Sequence, residues 1–179
     1  MNKKALLIID MSNDFVSDEG NLTVGKPAQA IVSNIIDAAN EFIAKEQVVA
    51  ICMDAHEKDD PHFELWPEHN VKGTWGQQLY NELQQWYEKN KDNPNVVYIA
   101  KPEYDAFFQT ELEVELKKRN VSKVHLTGVC TDICNFLTAY GAYARGFKTV
   151  AHRDKMATFT ENHETFIQHM ETVFKTEII

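Results

Sequence analysis

The chain has 179 residues, 44% of them hydrophobic, and we expect residues 1–179 to form a single domain with its own core. Its formal net charge of −9 argues against a nucleic-acid partner, which would need a basic face. No apolar run approaches the roughly 18 residues of a membrane-spanning helix. The three cysteines have no scaffold-like spacing, so the sequence predicts a reduced, cytoplasmic protein with no membrane contact.

Short apolar runs alternate with amphipathic stretches along the whole chain. The apolar runs predict strands at 6–9, 48–53, 96–100, 123–127 and 147–152, with a short edge strand at 177–179. Apolar residues at helical spacing predict helices at about 27–45, 77–88, 110–119, 134–145 and 160–174. Loops are expected at 12–26 and 57–69. This alternation predicts an α/β fold in three layers, with a doubly wound, mostly parallel sheet.

The stretch Gly128-Val129-Cys130-Thr131-Asp132-Ile133-Cys134 joins a predicted strand directly to a helix. Cys134 is therefore expected in the first helical turn, where free N–H groups and the helix dipole favour an anion. A thiol in that field loses its proton more easily, and the same N–H groups could hold an oxyanion. The alternative is a small buried thiol without chemistry, and this stretch alone leaves both interpretations open.

Reactive side chains follow the ends of four predicted strands: Asp10, then Asp54 with His56, then Lys101, then Cys134. In a doubly wound sheet, ligands bind beyond the carboxyl ends of the strands. Cys134 as nucleophile needs a group that takes its proton and returns it to the leaving amine, and Asp10 can do this. Lys101 would pair with Asp10, keep it oriented and ionised, and favour a thiolate.

The loop after the second strand concentrates potential metal ligands. Asp54, His56, His62 and His69 offer a carboxylate and imidazoles, which suit Zn²⁺, Fe²⁺ or Mn²⁺. Glu64 is a competing oxygen ligand, and the spacing alone leaves metal binding open. The histidines outside this loop are predicted to be structural or solvent-exposed: His125, His152, His163 and His169.

With these motifs the sequence resembles the isochorismatase-like cysteine hydrolases, and within that family the nicotinamidases. The similarity covers nearly the full chain and rests on Ile9-Asp10 with Asn13-Asp14-Phe15, Asp54-Ala55-His56, His62, Trp66-Pro67-Glu68-His69-Asn70-Val71-Lys72-Gly73-Thr74, Lys101 with Tyr104-Asp105-Ala106-Phe107, and Thr131-Asp132-Ile133-Cys134 with Thr138-Ala139.

The resemblance implies Asp10, Lys101 and Cys134 as the catalytic residues. It also implies one divalent metal ion, with zinc the first choice and iron or manganese as alternatives. The implied ligands are Asp54, His56 and His69, completed by His62 or, as in some members, by a glutamate, here Glu64. Members of this family often form homo-oligomers, and we expect one here.

The resemblance further implies a reaction in which nicotinamide is hydrolysed to nicotinic acid and ammonia through a Cys134 thioester. The pyridine ring would lie on the metal between Phe15, Trp66 and Tyr104. A cis peptide between Val129 and Cys130 would let the N–H groups of Cys130 and Cys134 form an oxyanion hole. The alternative is a related hydrolase that acts on another small amide or an enol ether.

Overall fold

The computed structural model describes residues 2–179 and contains one six-stranded sheet. The strands are β1 (Lys3–Ile9), β2 (Val48–Asp54), β3 (Val96–Lys101), β4 (Val121–Val129), β5 (Lys148–Ala157) and β6 (Glu177–Ile178). Their order is β3-β2-β1-β4-β5-β6, and all five pairings within this sheet are parallel. The predicted α/β class and parallel sheet are confirmed.

Helices cover both faces of this sheet. They are α1 (Asn13–Val16), α2 (Lys26–Ala44), α3 (Asn81–Asn90), α4 (Leu112–Lys118), α5 (Phe136–Ala144) and α6 (His163–Phe174). Alternate residues of β1 enter two apolar clusters: Leu6 and Ile8 pack with α2 and α3, and Leu7 packs with α4, α5 and α6. The three predicted layers are therefore present. None of the helices in residues 2–179 is long and apolar enough to cross a bilayer.

The order of the strands reverses beside β1. From β1 the chain adds β2 and β3 on one side and then returns to place β4 on the other side. In open parallel sheets a crevice for ligands forms at the carboxyl ends of the strands at such a point. Here that crevice lies between Asp10, directly after β1, and Cys134, shortly after β4.

Gly128 allows β1 and β4 to approach closely beside this crevice. Its φ is +102°, and a Cβ atom at this position would lie 2.0 Å from the carbonyl oxygen of Ile9. Glycine tolerates both the backbone conformation and the absence of space. The end of β4 is thus held against the residue that precedes Asp10.

The largest differences from the sequence-based boundaries are at three elements. Helix α1 occupies part of a predicted loop, with the Ser12 side chain accepting from the Phe15 N–H at its start. Helix α3 begins at Asn81 rather than near residue 77, because the carbonyls of Gly76 and Gln78 accept hydrogen bonds from α1. Strand β5 continues to Ala157, five residues beyond its predicted end at 152.

Candidate active site

Cys134 lies in a turn of π-helix, Thr131–Asn135, that connects β4 to α5. The turn is wider than the predicted α-helical first turn because the Asn135 N–H donates to the Cys130 carbonyl, five residues back, over 3.0 Å. The peptide between Val129 and Cys130 is cis, as the family resemblance implied. Cys130 and Cys134 are both buried, and both line the same pocket.

Lys101 connects the two carboxylates at the ends of β1 and β2. Its side chain is completely buried, and its ammonium lies 2.8 Å from Oδ2 of Asp10 and contacts Oδ1 of Asp54. It also donates to the carbonyl oxygen of Glu103 over 3.1 Å. The buried ammonium is therefore surrounded by two carboxylates and one carbonyl oxygen. The predicted Lys101–Asp10 pair is present.

Two protonation states differ from the sequence-based expectations. Burial and the neighbouring Asp54 raise the pKa of Asp10 to about 6, although Lys101 opposes this shift. Burial also raises the pKa of Cys134 well above its ordinary value, again against the effect of Lys101. The prediction of an easily ionised thiol was wrong, because loss of water outweighs the positive charge nearby.

The thiol therefore needs a base beside it. Sγ of Cys134 lies within 4.8 Å of a carboxylate oxygen of Asp10 and of one of Asp54. A carboxylate with a pKa near neutrality is well suited to accept and return a proton. The arrangement can thus generate a thiolate at the moment of attack rather than hold one at rest.

Beside this group, His56, His62 and His69 bring ring nitrogens within 4.8 Å of one another. Oδ2 of Asp54 lies 3.8 Å from Nε2 of His56 and 4.0 Å from Nε2 of His69. Glu64, the competing ligand, is exposed on a 3-10 turn, Pro61–Glu64, within the predicted loop. The geometry brings His62, and not Glu64, to the other imidazoles.

The donor set fits a divalent metal ion. The Nδ1 atom of His69 donates to the Pro67 carbonyl over 2.6 Å, and Nδ1 of His56 donates to Oδ2 of Asp60 over 3.0 Å. When the two rings are neutral, each therefore turns an unprotonated Nε2 toward Asp54. Nε2 of His56 is buried and has no hydrogen-bond partner, which is costly unless an ion or donor occupies the space in front of it.

Helix α1 holds the loop that carries His69. Oδ2 of Asp14 accepts from the N–H of Asn70 over 2.7 Å, and the Ser12 hydroxyl donates to Oδ1 of Asn70 over 2.7 Å. Asp14, Ser12 and Asn70 are all buried. These contacts fix the backbone next to a candidate ligand, a role that the sequence analysis did not assign to them.

A small pocket opens above the thiol, and His62 and His69 line it. The three predicted aromatic residues, Phe15, Trp66 and Tyr104, line it, and the Trp66 indole N–H donates to the Tyr104 hydroxyl over 3.0 Å. Phe159 also lines it and lies edge-to-face with Trp66, with 6.2 Å between ring centroids. Sequence reasoning missed Phe159 because it ended β5 at residue 152. Residues 153–155 are all charged, so no apolar alternation marked the longer strand.

Comparison with known proteins assigns the chain to a family. The isochorismatase domain model matches residues 4–178. The isochorismatase family protein PncA of Bacillus subtilis (strain 168) is 43% identical over 171 residues, which cover 93% of each chain. The chain belongs to the isochorismatase family, and the resemblance seen in its motifs is confirmed.

Solved structures agree with this assignment. The nicotinamidase/pyrazinamidase PncA from Bacillus subtilis superimposes with a TM-score of 0.95 at 40% identity, covering 98% of both chains. A pyrazinamidase of Pyrococcus horikoshii in complex with zinc gives a TM-score of 0.86 at 25% identity, covering 99% of this chain and 98% of that one.

Proposed function

We propose that this chain is a nicotinamidase, a metal-dependent cysteine amidohydrolase that converts nicotinamide to nicotinic acid and ammonia. One observation carries the proposal: a buried thiol and a carboxylate that pairs with a buried ammonium line a small aromatic pocket, beside three imidazoles whose ring nitrogens converge. The similarity to structures described as nicotinamidase/pyrazinamidase supports the choice of substrate.

In the first half of the reaction, Asp10 takes the proton of Cys134 as the sulfur attacks the carboxamide carbon. The carbonyl oxygen becomes negative, and the backbone N–H groups of Cys130 and Cys134 stabilise it. Asp10 then gives its proton to the amide nitrogen, the C–N bond breaks, and ammonia leaves. A thioester on Cys134 remains.

In the second half, Asp10 takes a proton from a water molecule, which attacks the thioester carbon. The C–S bond breaks, and the sulfur of Cys134 recovers the proton from Asp10 as nicotinic acid leaves. Lys101 stays protonated throughout, because Asp10 and Asp54 stabilise its charge, and their contacts raise its pKa despite burial. It orients Asp10 in both halves.

Asp54, His56, His62 and His69 would hold the metal ion. This set of one carboxylate and three imidazoles suits zinc first, with iron or manganese as alternatives, and the zinc complex of the related pyrazinamidase supports zinc. When bound, the ion supplies a Lewis-acid site for a ring nitrogen, and this would fix the substrate's orientation relative to Cys134.

Phe15, Trp66 and Tyr104 would bind the substrate ring. All three line the pocket, together with the apolar side chains of Ile133 and Leu22. The pocket is small and has several aromatic side chains in its walls, so a flat single ring suits it better than a fused or branched group.

The test is ammonia release from nicotinamide by the purified protein, before and after chelation and again after zinc is restored. We expect release that falls with chelation and returns with the metal. The Cys134→Ala variant should release no ammonia and keep its metal content. Intact-protein mass spectrometry of quenched reactions should find a nicotinoyl group on the parent protein only. Full metal content without ammonia release would assign the pocket to another amide.

A further inference from the structure

We infer that Asp60 is a positioning residue of the metal site, which selects the metal-binding tautomer of His56 and fixes the turn that carries His62. The inference rests on the proposed metal site and not on the identity of the substrate. Asp60 precedes the 3-10 turn Pro61–Glu64 and is about one-quarter exposed, at 26% of its side chain.

The two carboxylate oxygens of Asp60 have separate partners. Oδ1 accepts the backbone N–H of His62 over 2.9 Å, which caps the start of the 3-10 turn. Oδ2 lies 3.0 Å from Nδ1 of His56. A carboxylate accepts hydrogen bonds, so this contact requires the proton of the His56 ring to be on Nδ1.

That proton position determines what the other ring nitrogen can do. With Nδ1 protonated, Nε2 of a neutral His56 carries a lone pair, and it faces Asp54 at 3.8 Å without a hydrogen-bond partner. The opposite tautomer would place a hydrogen on Nε2 and prevent it from binding a metal. Carboxylates that fix imidazole ligands in this way also raise their basicity.

Asp60 also sets the relative position of two of the rings. Because it holds both the ring of His56 and the backbone of His62, it connects two ligands six residues apart. Their rings stack with 4.7 Å between centroids and an angle of 14°. Without Asp60, the turn that carries His62 would lose its cap, and the residues around it, 61–68, are exposed or half-buried.

The Asp60→Ser variant separates the two contacts of Asp60. A serine hydroxyl can still cap the turn by accepting the His62 N–H, but it is too short to reach His56. The Asp60→Ala variant loses both contacts. Asp59 is the matched control, because it is the neighbouring aspartate and is exposed, and Asp59→Asn removes the same charge.

The readout is zinc affinity of the full chain, measured by competition with a chromogenic chelator and without any substrate. We expect Asp60→Ser to bind zinc about 10- to 100-fold more weakly than the parent protein, as for loss of other such partners of ligands. Asp59→Asn should match the parent. If Asp60→Ser binds zinc as tightly as the parent, Asp60 only caps the 3-10 turn, and the inference is overturned.

A second measurement addresses the tautomer itself. At a pH where the His56 ring is neutral, its ¹⁵N shifts in the metal-free parent should show a proton on Nδ1 only, and Asp60→Ser should show a mixture of tautomers. An Nε2-protonated ring in the parent would overturn the inference. A parent protein that binds no zinc would overturn the metal site as well. Zinc binding with the expected Asp60 effect, but without ammonia release from nicotinamide, would leave the inference standing and reject only the substrate.

Discussion

The backbone N–H of Asp54 donates a hydrogen bond of 2.9 Å to Oδ1 of Asp10. The proposed base is therefore tied to a proposed metal ligand through the backbone as well as through Lys101, which contacts both carboxylates. The acid–base group and the metal site form one connected unit. We expect a change in the charge of either one to affect the other.

Replacing Lys101 by methionine tests this unit. Methionine keeps most of the length of the side chain but leaves the buried carboxylates of Asp10 and Asp54 without the ammonium between them. Removing one partner of a buried ion pair costs about 3–5 kcal/mol of unfolding free energy, and we expect a loss of that size with turnover abolished. Urea unfolding and ammonia release measure the two effects.

The control is Lys72→Met, because Lys72 pairs with Glu57 on the surface, where both side chains are more than half exposed. Lys72→Met should leave the unfolding free energy and the turnover nearly unchanged, because exposed ion pairs contribute little to stability. A Lys101→Met protein with normal turnover would show that the ammonium does not orient the base.

Gly128→Ala should destabilise the sheet beside the active site. The new Cβ would meet the Ile9 carbonyl at 2.0 Å, at a position whose φ is +102°. Gly146→Ala is a matched control, since its φ is +81° and no atom lies within 4 Å of a Cβ there. The control should lose about 1–2 kcal/mol from its backbone conformation alone.

We expect Gly128→Ala to lose clearly more unfolding free energy than Gly146→Ala, and also to lose turnover because Asp10 follows Ile9 directly. Thermal unfolding and ammonia release measured on both variants decide the point. Equal losses of unfolding free energy and turnover in the two variants would mean that β1 and β4 can move apart without affecting the active site.

Phe159→Ala should widen the range of amides hydrolysed. Phe159 is 43% exposed at the mouth of the pocket and packs edge-to-face against Trp66. Removing its ring opens one wall while Asp10 and Cys134 stay in place. We expect kcat/KM for a ring-substituted nicotinamide to rise relative to nicotinamide itself.

Phe108→Ala provides the comparison, since Phe108 has a similar exposure of 45% but does not line the pocket. It should leave the ratio of the two kcat/KM values as in the parent. If Phe159→Ala keeps the parent's ratio of the two kcat/KM values, Phe159 does not restrict substrate size.

The stability of the protein should fall in mild acid because of a histidine pair distant from the active site. Nδ1 of His125 lies 2.9 Å from Nε2 of His152, and both rings are buried. Burial, the largest cause, lowers the pKa of each to about 4. The charged groups that face the pair are Lys4, Lys123, Glu177, Lys155, Asp154 and Glu41.

At these two histidines the unfolded chain, with pKa values near 6.5, binds more protons than the folded chain between about pH 6.5 and pH 4. The pair's contribution to the unfolding free energy should therefore decrease as pH falls through that window, by at most about 1.4 kcal/mol per pH unit for each proton, while the raised pKa of Asp10 contributes a slope of the opposite sign. Urea unfolding across the window measures this slope. His152→Gln should reduce it, whereas His169→Gln, at an exposed position, should not. An unchanged slope in His152→Gln would assign the acid sensitivity elsewhere.

The reactive positions could be predicted because strand ends are visible in a sequence. A buried strand is a short apolar run, and the polar residue that ends it is conspicuous, as at Asp10 and Lys101, whereas Cys134 lies in the turn that follows its strand. Parallel strands bring such ends to one edge of a sheet. The convergence of these three side chains followed from the fold class alone.

Residues that act through a neighbour could not be predicted in the same way. Asp60 and Asp59 are adjacent aspartates in a charged loop, and only the turn after them decides which one reaches His56. The pKa of Cys134 was predicted in the wrong direction for a related reason. The helix dipole can be inferred from local sequence, but burial depends on residues from the whole chain.

The reversal of strand order beside β1 also affects how the enzyme is made. β1 pairs with β2 on one side, but its other partner, β4, follows only after β3 and α4. Closing such a long loop is entropically costly, and pairing of distant strands is slow. A chain folded only as far as β3 would hold Asp10, Lys101 and the histidines without a nucleophile. We expect a nascent or partly refolded chain to bind metal before it can hydrolyse an amide, so the two properties should appear in that order during refolding.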